Sequence, residues 1–95
     1  MSSEKSLKKE KDFLLKLFSE LKTESEIFDF LSAVLTPSEL NNLRERMEII
    51  RGILEKKSQR QIAKETGASL ATISRGSREI QFGSGILQKI FSRVL

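Results

Sequence analysis

Ninety-five residues, with 17 Lys/Arg against 13 Asp/Glu, no cysteine and no histidine, describe one small domain of net charge +4. A chain this short has little interior to bury alone, and without cysteine or histidine it cannot rely on disulfides, thiolate chemistry or the usual zinc sites. No carboxylate pair stands out from ordinary helix-surface charge and no apolar run approaches the roughly twenty residues that span a bilayer, so the expectation is a cytoplasmic non-enzyme with no metal and no membrane partner.

Residues 1–11 are polar and charge-rich and read as a frayed arm. Their lysines, Lys5, Lys8, Lys9 and Lys11, either touch DNA or simply solubilise the chain. From Asp12 to about Lys22, Phe13 and Leu17, then Leu14, Phe18 and Leu21, recur at helical spacing and predict a first helix with a wide apolar stripe. After a break at Thr23 or Glu24, Ile27, Phe28, Phe30, Leu31, Val34 and Leu35 are apolar on more than one side. Something must cover both faces, and the same region of a second subunit is the cheapest cover, so residues 12–57 are read as dimerisation helices of a homodimer. Five of the six phenylalanines lie at or near this region or the C-terminal helix and read as core, not as base-stacking platforms.

Thr36-Pro37-Ser38-Glu39 is the sharpest helix start in the chain, with threonine at the N-cap, proline at the first helical position and glutamate three residues past the cap. The predicted core stripe of this third and longest helix is Leu40, Leu43, Met47, Ile50, Ile53 and Leu54, and it should end by Lys56-Lys57, where two cations suit the negative end of the dipole. Arg46 is out of place there. Its neighbours three and four residues away are Asn42, Leu43, Ile49 and Ile50, so it has no carboxylate partner on its own helix. It can snorkel along the surface, or it can serve a planar ligand or an anion.

Residues 58–80 read as two short helices meeting at a glycine. Ser58 and Gln61 make a capping box that starts a helix at about Gln59, and Ile62 faces inward. Gly67 supplies a reversal that needs positive φ, and Ser69 caps a second helix over about Leu70 to Ile80, whose Leu70, Ile73 and Ile80 return to one face. Ala63, Gly67 and Ile73 are spaced as a helix-turn-helix requires, although a plain helical hairpin fits the same spacing. The outer face, Ser69, Ala71, Thr72, Ser74, Arg75 and Arg78, is small, hydroxylic or cationic, and no carboxylate occurs between Ser69 and Arg78. Residues 1–57 hold 11 basic and 11 acidic side chains while residues 58–95 hold 6 and 2, so the whole positive excess lies in the part that contains this helix pair, the footprint expected of a nucleic-acid reader on a neutral scaffold. Gln81 to Gly85 is a flexible break, and residues 86–95 form a last helix with Ile86, Leu87, Ile90, Phe91 and Val94 inward.

The residues from the LTPSEL stretch through Arg46 and SQRQIAKETGA to ATISRGS resemble the tryptophan operon repressor family over about 45 positions. Each motif alone is weak, but together they are specific. The resemblance implies an all-α, six-helix fold with a helix-turn-helix in an intertwined homodimer. It also implies L-tryptophan as corepressor and double-stranded operator DNA as partner. Arg46 and Arg75 match the two arginines that sandwich the indole, Gly76 the glycine that leaves it room, and Thr36 a bond to the ligand carboxylate. Backbone carbonyls around Ala33 and Leu35 of the second subunit would take its ammonium group. Bound ligand would set the two reading heads roughly 34 Å apart, to match successive major grooves. Arg60 matches a direct base contact, Leu70, Ala71 and Thr72, beyond the Ser69 cap, match the tip of the recognition helix, and Gln59, Ser77 and Arg78 suit phosphate contacts.

Three departures stand out. The link before Ser58 is one residue shorter than in the best-known pattern, Arg78 replaces a frequent asparagine, and Glu79 stands where a serine helps hold the ammonium. Glu79 can do that work as an anion or can pair with Arg75 and spoil the pocket. The implied function is a tryptophan-activated repressor of tryptophan biosynthesis or uptake genes. The competing readings are a related DNA-binding regulator that needs no tryptophan and a helical protein-interaction module.

Overall fold

In the computed structural model the described residues are 12–95, and they form six helices and no strand. The N-terminal arm with its four lysines lies outside them. The chain separates into two compact units, one ending at Pro37 and one running from Ser38 to Leu95.

In the first unit, α1 covers residues 12–19 and closes with the Glu20 and Leu21 N–H groups donating to the Leu17 and Phe18 carbonyls, both at 3.1 Å. It stops three residues short of the expected Lys22. α2, Glu24–Val34, starts where Thr23 Oγ1 accepts from the Glu26 N–H at 3.0 Å, while the Glu26 carboxylate reaches back to the Lys22 N–H at 2.8 Å. The residue where the apolar pattern breaks is thus a working N-cap. Phe18 of α1 and Phe30 of α2 meet edge to face, centroids 5.5 Å apart, an arrangement set by ring quadrupoles. No residue of α2 is buried within the chain.

Proline at its first position opens α3, Pro37–Leu54, as expected. Its C-terminus is a Schellman motif: Lys56 takes φ 63°, its N–H donates to the Ile53 carbonyl, and the Lys57 N–H donates to the Gly52 carbonyl, both at 3.0 Å. The two lysines therefore end the helix by geometry as well as by charge, with a non-glycine held in a conformation that costs about 1 kcal/mol. α4, Gln59–Thr66, and α5, Leu70–Phe82, follow, capped by Ser58 and Ser69, with Gly67 at φ 78° between them. The capping box at Ser58 is only half formed. Ser58 Oγ accepts from the Gln61 N–H at 3.1 Å, but the Gln61 side chain donates to Glu65 one turn on.

Four residues make the core of the second unit: Ile49 from α3, Ile62 from α4, Ala68 from the turn and Ile73 from α5, with Ile53 and Ala63 packed against them. Two sequence expectations need correction here. The buried line of α3 is Ile49 and Gly52, while Met47 is exposed and Leu43 and Ile50 are half-buried. On α5, Ile73 is fully buried but Leu70 stands in solvent. The physical reason is close approach: a Cβ on Gly52 would sit 2.9 Å from Ile62 Cγ1, so the absent side chain is the seat for Ile62. α3 from Ser38 onward shares its compact unit with α4 and α5.

α6, Ile86–Ser92, follows Gly85 at φ 90° and ends three residues before the expected limit. Gln88 Nε2 donates to the Ile80 carbonyl at 2.9 Å and ties α6 to the end of α5. Its apolar residues do not close a core. Leu87 and Phe91 are half-buried, whereas Ile86, Ile90 and Val94 are exposed.

Candidate nucleic-acid interface and ligand cleft

The start of α5 is built around its cap. Ser69 Oγ accepts from the Thr72 N–H at 3.2 Å and lies 2.9 Å from the Thr72 hydroxyl, so both side chains are fixed on the first turn. Beside them Leu70 and Ala71 are exposed, as are Arg75 and Arg78 further along. Ser77 is half-buried, a weaker position for a phosphate contact. Gln59 and Arg60 are exposed on the first turn of α4.

First-turn charge separates these two helices from α2 and α3. α2 and α3 carry Glu24, Glu26 and Glu39 in their first turns, where a carboxylate stabilises the positive end of the helix dipole. α4 and α5 carry no acidic residue there. A helix start without its own carboxylate can receive an external anion such as a phosphate group.

α3, α5 and α6 line an open cleft of about 420 Å³. Arg46 on α3 and Arg75, Gly76 and Glu79 on α5 line it together, over an apolar side that includes Leu43, Ile50 and Leu87. Residues 29 or more positions apart in sequence, singled out separately above, thus share one space. Among the described residues neither arginine holds an ion pair, and none joins Arg75 to Glu79. Gly76 has a second duty: a Cβ there would lie 3.4 Å from both Ile49 Cγ2 and Ile53 Cδ1, so the glycine also lets α5 lie close on α3. Thr72 lines the cleft as well, a placement that sequence periodicity did not signal. Ala33, Leu35 and Thr36 belong to the first unit: Ala33 is exposed on the last turn of α2, Leu35 is its C-cap, donating to the Leu31 carbonyl at 2.9 Å, and Thr36 precedes Pro37.

A more charged groove lies between α3 and α4, crossed by the Lys57 Nζ to Glu65 contact at 2.9 Å. The hydrogen bond from Lys57, followed by that from Gln61, holds the Glu65 carboxyl below the usual glutamate range, and the same bond raises Lys57. Among the described residues no group of side chains could hold a metal ion, and no helix is long and apolar enough to cross a membrane.

An all-α chain with a capped helix-turn-helix, a basic outer face and carboxylate-free helix starts falls in the class of helical DNA-binding regulators. Residues 9–95 match the family model described as Trp repressor protein, and the chain belongs to the Trp repressor family. That is a family of transcription regulators, not of enzymes. Among curated relatives, an uncharacterized protein of Bacillus subtilis, YerC, is 35% identical over 90% of this chain and 83% of its own length. A Trp operon repressor homolog of Chlamydia caviae is 38% identical over 74% of this chain and 69% of its own. Two crystal structures share the fold: a putative Trp repressor from Staphylococcus aureus, with TM-score 0.87, 30% identity and coverage of 99% and 94% of the two chains, and a TrpR-like protein from Eubacterium eligens, with 0.82, 34%, 87% and 86%.

Proposed function

We propose that this chain is an L-tryptophan-activated homodimeric repressor that binds operator DNA through α4 and α5 and controls genes of tryptophan biosynthesis or uptake. The observation that carries the reading is the cleft in which Arg46 and Arg75, from different helices, share one space with an apolar side and Gly76. Guanidinium planes stack on both faces of an aromatic ring, and an arginine can add a charge-assisted bond to a carboxylate. Thr36, with the carbonyls around Ala33 and Leu35 of the second subunit, would complete the site. Because α5 forms one wall of the cleft and also carries Leu70, Ala71 and Thr72 at its tip, a ligand held there bears directly on the recognition helix. Arg60 would read a guanine edge, and Gln59, Ser77 and Arg78 would set register on the phosphates.

The chain contains no tryptophan and no tyrosine, so the ligand's own indole emission reports binding. The expected outcome is a change of emission on titration with protein and a mobility shift of operator DNA that strengthens when L-tryptophan is added. Unchanged emission at millimolar protein would remove the corepressor role and leave DNA binding standing.

A second reading is a DNA-binding regulator indifferent to tryptophan: YerC, whose similarity covers more of this chain, is not named a tryptophan repressor, whereas the Chlamydia homolog is. An equal mobility shift with and without the amino acid supports it. Either regulator should lose DNA affinity with salt at a log–log slope of about 0.9 per phosphate contact, whereas a protein-interaction module should not.

A further inference from the structure

Ala68, in the turn before α5, and Ile73, on α5 itself, are buried, whereas the residues between them, Ser69, Leu70, Ala71 and Thr72, are exposed. The first turn of the recognition helix is therefore fastened by hydrogen bonds more than by packing. Three contacts converge there on Ser69. Its carbonyl accepts from the Ile73 N–H at 3.1 Å, its Oγ accepts from the Thr72 N–H at 3.2 Å, and its Oγ lies 2.9 Å from the Thr72 hydroxyl.

The last of these differs from the other two, because Thr72 also lines the ligand cleft with Arg46, Arg75 and Gly76. Threonine in a helix divides between two χ1 rotamers, and that one torsion moves its hydroxyl and methyl groups together. A molecule that fills the cleft and bears on Thr72 therefore acts on the hydroxyl that meets Ser69. We propose that Thr72 couples the cleft to the base-reading surface: an occupied cleft holds the Thr72 rotamer that bonds Ser69 Oγ, and this bond fixes Leu70 and Ala71 for the base edges. The inference rests on the tryptophan reading above. It places part of the ligand's effect within a single reading head, in addition to the spacing between two heads. A ligand shifts such an equilibrium by its difference in affinity for the two states, and the coupling is reciprocal.

Two variants break the bond from opposite sides. Thr72→Val keeps the branched shape and the backbone N–H bond to Ser69 but has no hydroxyl, and Ser69→Gly removes the partner with a residue that N-cap positions accept at little cost. Calorimetry sets the L-tryptophan concentration that saturates each full-length protein. Mobility shifts then give DNA affinity with and without the ligand, on a duplex that wild type selects from a random-sequence pool in the presence of L-tryptophan. The readout is the ratio of the two affinities, since loss of a direct DNA contact lowers both alike. Wild type should show a ratio of about 5–150, the usual range of allosteric coupling. Each single variant should lower that ratio by about threefold or more, and the double variant should lower it no further, because both act through one bond. Unchanged ratios in the single variants overturn the inference and leave the tryptophan site intact, as do losses that multiply in the double variant. If wild type binds no L-tryptophan, or binds DNA equally with and without it, the tryptophan reading fails and this one with it. Circular dichroism should show wild-type helix content in both variants, since Ile73 and its bond to the Ser69 carbonyl are untouched.

Discussion

Gly52 carries more of the fold than its lack of a side chain suggests. It is buried in the middle of α3, and its missing Cβ is the space that Ile62 fills. An alanine there would gain about 1 kcal/mol in helix propensity but would sit 2.9 Å from Ile62 Cγ1, and overpacking of a tight core costs about 1–3 kcal/mol. Ile62 is itself fully buried on a short helix and has little room to retreat. Gly52→Ala is therefore expected to lower the melting temperature by several degrees, as read by circular dichroism. A melting temperature at or above wild type would show that Ile62 repacks freely. Ile73, at 0% exposure, marks the opposite case, a side chain that the core cannot lose without leaving a cavity.

At the scale of the element, α4 is eight residues long and depends on its ends. Ser58 satisfies one of its first amides, and Lys57, just before the cap, reaches Glu65 in its last turn. The pair is solvent-exposed, so its worth is modest and screened by salt. Its sign is nevertheless definite. The Glu65 carboxyl is depressed in the folded chain, so its contribution is present above the ordinary glutamate range, about pH 4.3, and is lost as pH falls through the lower folded value. Lys57 is raised, so its contribution holds below the ordinary lysine range and is lost only as pH rises through the higher folded value. Glu65→Gln should flatten the acid side of the stability curve measured by denaturant titration between about pH 3 and 6. An unchanged acid limb would mean that the contact does not persist in solution.

The whole molecule exposes apolar surface that a solitary soluble chain does not carry comfortably. Phe13 is 67% exposed, Phe82 76% and Val94 82%, and no residue of α2 or α6 is buried. Exposed large apolar residues in each of the two units are surface that an interface can cover. If a second copy covers them, as proposed, folding and association are linked, and the melting temperature must rise with protein concentration. Thermal melts over a hundredfold dilution series, paired with sedimentation, check this. A monomer with concentration-independent melting would remove the homodimer from the proposal.

Sequence alone determined the helices and the starts of α3, α4 and α5, because caps, proline and glycine act within one turn: Pro37, Ser58, Ser69 and Gly67 all stand where local chemistry puts them, whereas α1 and α6 end earlier than expected and α5 runs on to Phe82, into the expected break. It also isolated Arg46 as an arginine without a partner on its own helix. Tertiary structure decided which faces turn inward. The buried line of α3 moved to Ile49 and Gly52 because a hydrophobic pattern cannot register a core position occupied by glycine, and α6 stayed exposed because burial depends on what lies opposite. Only the packing of α5 on α3 could bring Arg46, Arg75 and Glu79 to one cleft, since spacing along a chain constrains neighbours within an element but not distances between elements.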